Sequence, residues 1–91
     1  MITSEAILAC KSLDDVVSLL RANGAGEITI RANLEVAGLQ RLDIHLAVVH
    51  DGERYEDNRE MFLTRAAAPA LQQVLTMEVA NGLLFMLKGK L

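Results

Sequence analysis

Tryptophan is absent from this chain of 91 residues, and aromatic side chains make up only 3% of it. A core here cannot be organised around large rings, so it must be packed from Leu, Val, Ile, Ala and Met. The single cysteine, Cys10, excludes an internal disulfide. With no signal-peptide pattern in Met1-Ile2-Thr3-Ser4-Glu5, a reducing cytoplasm is the expected setting. The longest strictly apolar run, Leu83 to Leu87, is far too short to span a membrane. Basic clusters are lacking as well. A formal net charge of −3 with scattered Lys and Arg offers no electrostatic footprint for nucleic acid and no polybasic stretch for anionic lipid. Neither is expected as a partner, and no motif asks for a cofactor.

What is present is apolar bulk, 52% hydrophobic against 23% charged residues. That balance argues for a folded chain, a single domain over residues 1–91. So much aliphatic content in a small domain also favours burial between subunits, and a homo-oligomer is the expected state.

The most legible stretch is Glu27 to Tyr55. Ile28, Ile30, Ala32, Leu34 and Val36 alternate with Thr29, Arg31, Asn33 and Glu35, which is a strand with one buried face. Leu42, Ile44, Leu46 and Val48 repeat the pattern, with Arg41, Asp43, His45, Ala47 and Val49 on the other side. Opposed residues share a face, so even-numbered residues must oppose even-numbered ones. A three-residue loop, Ala37 to Leu39, satisfies this and sets Leu34 against Leu42, Ala32 against Ile44 and Glu35 against Arg41. Asp51-Gly52 then reads as a two-residue type I′ turn that pairs His50 with Glu53 and Val48 with Tyr55. The third strand it opens is expected to be short and charged.

Before the hairpin, residues 3–23 read as two helical pieces. Ser4 or Thr3 caps the first. Ser12 caps the second by accepting from the backbone N–H of Asp15, and Leu13, Val16, Val17 and Leu20 form its stripe. Gly24 suits a left-handed C-cap. After the hairpin, Glu56-Asp57-Asn58 is expected to open a further helical segment, divided in two near Pro69 and ended at Asn81-Gly82. Leu83 to Leu91 is expected to be a strand. The resulting fold class is α+β: an antiparallel sheet of two to four strands with helices on one face, in the order α-β-β-(β)-α-α-β.

Residue types capable of chemistry are few. Asp43 and His45, two apart on the outer strand face, offer a carboxylate and an imidazole from which a metal site or an acid–base pair could start. D-x-H is a short pattern without a third ligand, and Arg31 and Arg41 can balance the acid. His50 and Glu53 form a candidate hairpin-end pair. Cys10 is a candidate nucleophile, although a lone thiol more often fills space. Glu53, Glu56, Asp57 and Glu60 make an acidic cluster without the alternating ligands of a calcium loop. Met77 and Met86 read as packing residues.

The leading expectation is a small non-catalytic oligomeric protein that acts by protein–protein binding or self-assembly. Its interface would be Leu83, Leu84, Phe85, Met86 and Leu87. The alternative is a metal-binding protein or enzyme using Asp43 and His45.

Overall fold

A computed structural model describes residues 2–23, 26–32 and 37–91. The chain forms α1 (Ser4–Leu8), α2 (Leu13–Ala22), β1 (Gly26–Ala32), β2 (Leu39–His50), β3 (Glu53–Thr64), a 3-10 turn (Arg65–Ala70) and α3 (Leu71–Met86). The strands make one antiparallel sheet in the order β1-β2-β3. The class is α+β, with a three-stranded antiparallel sheet and three α-helices.

Local chemistry explains the first half. Thr3 caps α1 through the N–H of Ala6, and Ser12 caps α2 through the N–H of Asp15 at 3.1 Å. The Asp15 carboxylate reaches back to the N–H of Lys11, so the entry to α2 is tied from both sides. Asp51 at φ 52 and Gly52 at φ 81 supply the two left-handed residues of a type I′ turn. His50 faces Glu53 and Val48 faces Tyr55, as the turn chemistry predicts.

The β1–β2 ladder corrects the expected register. Ala32 lies opposite Leu42, Ile30 opposite Ile44 and Ile28 opposite Leu46, two residues from the expected pairing. The parity rule holds, but parity cannot distinguish registers that differ by two. The turn centres on Ala37 and Gly38, both at positive φ, and the observed register sets Arg31 across from Asp43. The expected Glu35–Arg41 pair and the Gly24 cap fall outside the described residues.

Two further expectations change. β3 runs without interruption for 12 residues, through the Glu56-Asp57-Asn58 segment expected to begin a helix. Continuation of the ladder outweighs helix-start chemistry here, because each residue gains a partner on β2. At the other end, α3 passes through Gly82 and takes in Leu83 to Met86, where a strand was expected. Leu75, Val79, Leu83 and Leu87 recur every four residues and are all buried, which is helical spacing. Pro69 does divide the segment, sitting in the 3-10 turn just before α3.

The core lies between the sheet and the helices. Ile7, Val16, Leu20, Ile44, Leu46, Val48, Val79, Leu83 and Leu87 are almost fully buried in one cluster. α2 packs on β1, while α3 packs on β2 and β3. Gly82 permits the second contact. A Cβ there would stand 2.5 Å from Leu46 Cδ1 and 2.8 Å from Arg59 Cδ.

Candidate functional site

The sheet face away from the helices carries Thr29 and Arg31 from β1, Arg41, Asp43, His45 and Ala47 from β2, and Arg54, Glu56, Asn58 and Glu60 from β3. Alternation places them there, with Thr29, His45 and Asn58 in one row across the three strands. An open depression of about 380 Å³ lies over the centre of this face.

Two of its arginines, Arg41 and Arg54, are engaged with its carboxylates. Arg41 donates to Asp43 at 3.0 Å and to Glu60 at 3.0 Å. Arg54 donates to Glu56 at 2.8 Å and lies 3.7 Å from Glu27. Glu27 and Glu56 flank Ala47 in the ladder, so this guanidinium spans Ala47, which is 1% exposed although it sits on the outer face. The hydrogen bond from Arg54 holds the Glu56 carboxyl below the usual carboxylate range. Asp43, in turn, stabilises the charged form of Arg41.

Asp43 and His45 therefore share a face but engage different groups. His45 Nδ1 donates to Asn58 Oδ1 at 2.8 Å, leaving Nε2 3.9 Å from Glu56. A cation entering here would have to displace an arginine from each nearby carboxylate. Among the described residues, no group of three or more His, Cys, Asp or Glu side chains could hold a metal ion.

The remaining candidates separate. His50 and Glu53 are opposed in the ladder, yet the buried His50 donates from Nε2 to the carbonyl of Lys90 at 3.2 Å. Glu53 accepts from the Tyr55 hydroxyl instead. The acidic cluster divides between the two sheet faces: Glu53 and Asp57 point one way, Glu56 and Glu60 the other. Cys10 donates to the carbonyl of Ala6, and burial, with a smaller effect from Asp15, pushes its thiol pKa up. That is the opposite of activation for nucleophilic attack.

One ion pair was not legible in the sequence. Arg59, on the core side of β3, donates to Glu78 of α3 at 2.8 Å and stands 3.6 Å from Asp57. Glu78 is the sole charged residue of α3 (Leu71–Met86), and it is turned toward the sheet. The exposed positions of this helix, Gln72, Gln73, Met77, Asn81 and Phe85, carry no charge. Met77 is 65% exposed and Phe85 69%.

The five expected interface residues divide accordingly. Leu83 and Leu87 belong to the chain's own core, Leu84 and Met86 are half-buried, and Phe85 stands outward. Among the described residues, no helix is long and apolar enough to cross a membrane. Comparison with family models, with curated proteins and with solved structures finds no match for this chain.

Proposed function

We propose that this is a small non-catalytic protein that acts through assembly with itself, with the outward side of α3 as part of the contact. The charge-free surface of α3 carries this reading. A helix on a protein surface ordinarily turns charged residues to water, whereas α3 turns Met77 and Phe85 outward among the uncharged Gln72, Gln73 and Asn81. Large exposed apolar side chains of this kind mark contact surfaces. Phe85 is the centre of the proposed contact, and Leu84 and Met86 are its margins.

The test is sedimentation of the full chain across the micromolar range. Oligomers are expected for the unaltered chain, and Phe85→Glu together with Met77→Glu should shift them toward monomer while leaving the circular dichroism spectrum unchanged. A chain that stays monomeric at high micromolar concentration would defeat the proposal.

The alternative, a metal-binding or catalytic role for Asp43 and His45, gains one supporting observation. The open depression above them counts Arg41, Asp43, His45 and Asn58 among its lining residues. Stoichiometric zinc or nickel, lost in His45→Gln, would favour it.

A further inference from the structure

We propose that the partner is a second copy of this chain, joined edge to edge along β3 about a two-fold axis at Asn58. This rests on the self-assembly reading and makes it geometrically specific.

The open edge of β3 supplies the first observation. His50 and Glu53 flank a two-residue turn, which makes them a hydrogen-bonded pair. Odd-numbered residues of β3 therefore bond to β2. The N–H and C=O groups of Arg54, Glu56, Asn58, Glu60 and Phe62 point away from the sheet. No other backbone segment bonds to them among the described residues. The edge is 12 residues long, pairs with β2 without a bulge, and contains no proline or lysine. Those are among the devices that blunt an edge. The inward charges Asp57 and Arg59 are another, and the proposed register sets each against its opposite on the second copy.

Charge complementarity selects the register. With Asn58 on the axis, Asp57 lies opposite the partner's Arg59, and the symmetry makes that pairing twice. Tyr55 meets the partner's Met61 and Arg54 meets the partner's Phe62, an aromatic–sulfur and a cation–π contact. A shift of the axis by one residue either way places Asp57 on its own copy or Arg59 on its own copy. The one opposed pair, Glu56 with the partner's Glu60, is offset within each chain, since Arg54 holds Glu56 and Arg41 holds Glu60.

Helix α3 extends the same seam. Glu78 touches Arg59, so the side of α3 that carries Glu78 faces the edge strand. Val74, Asn81 and Phe85 stand four before, three after and seven after Glu78, on that same side. Two-fold pairing of β3 would bring this stripe toward its counterpart. Eleven paired residues give a seam about 37 Å long. One strand layer plus one helix layer makes it roughly 20 Å deep. The product, on the order of 740 Å² per subunit, is close to the roughly 800 Å² of a standard interface.

Nitroxide labels in a Cys10→Ser background test the axis directly. At Asn58→Cys the two Cα atoms would lie about 5.5 Å apart, giving strong dipolar broadening. Thr29 lies in the same row on the far strand, five strand spacings from its counterpart, so labels at Thr29→Cys should report a Cα separation of about 24 Å. Asn58→Pro removes an N–H that the subunit itself leaves unused. It should weaken the dimer about 100-fold or more by leaving two edge bonds unmade. Should that variant fail to fold, the label distances decide. A monomeric full chain overturns both this proposal and the self-assembly reading. An oligomer with uncoupled labels at residue 58, or one of odd subunit number, leaves self-assembly standing and overturns the two-fold.

Discussion

The two outward surfaces of this domain are built on opposite terms. The sheet face is dense with charge, and its Arg41 and Arg54 are already paired with Asp43, Glu60, Glu56 and Glu27. The exposed positions of α3 carry no charge and leave Met77 and Phe85 in water. Most of the charge on the first surface is thus balanced within the chain. The second leaves large apolar side chains in water, which is the kind of surface that the proposed self-assembly would cover.

Substitutions along α3 test that contrast most severely. Leu83→Ala empties a fully packed site and should cost about 2–5 kcal/mol of stability, measured by urea unfolding. Phe85→Ser, two residues on, should leave monomer stability nearly unchanged and act on association instead. Comparable losses of stability from both would mean that the two sides of the helix are not distinct.

Glu78→Ala leaves Arg59 half-buried with only the more distant Asp57. A loss of roughly 1.5–3 kcal/mol is expected for a charged hydrogen bond, again from urea unfolding. Gly82→Ala comes next. On an open helix this change would gain about 1 kcal/mol. Here the added methyl meets Leu46 and Arg59, and overpacking of about 1–3 kcal/mol should make the net effect a loss. A raised melting temperature would show that the helix–sheet contact has slack.

The smallest effects belong to the charged sheet face. His45→Gln should leave folding, assembly and metal content unchanged, checked by sedimentation and native mass spectrometry. Glu56 has a depressed pKa in the folded state, so its contribution to stability is complete above the ordinary carboxyl range. That contribution is lost as pH falls through the depressed pKa, below the ordinary carboxyl range. Arg54→Gln should remove this part of the acid dependence, which paired melting curves at neutral and acid pH would show.

Local features of the fold were readable in advance, and long-range ones were not. Ser12 and Asp51-Gly52 act through neighbours within three residues, and both behave as their chemistry dictates. The β1–β2 register escaped because apolar alternation repeats every two residues. The length of β3 escaped because Asp57 and Arg59 occupy its core-side positions and break the alternation. Glu78, on another element, is what makes Arg59 tolerable there. Gly82 reads as a helix stop until Leu46 is placed against it. On the site, the outward placement of Asp43 and His45 was legible. The arginine partner of Asp43 on β2 was foreseen, but Asn58 was not, because it lies on a strand read as helix.

The packing of α1 on α3 also sets an order of events. The hairpin closed by Asp51-Gly52 is local and can zip from its turn within microseconds. Ile7 and Leu83, by contrast, join one core from sequence positions far apart, and such closures come late. Until α3 arrives, the apolar side of a nearly finished sheet stands open. During synthesis that interval lasts at least as long as the ribosome takes to release the last turns of α3, so the apolar side of the sheet meets water before its cover exists.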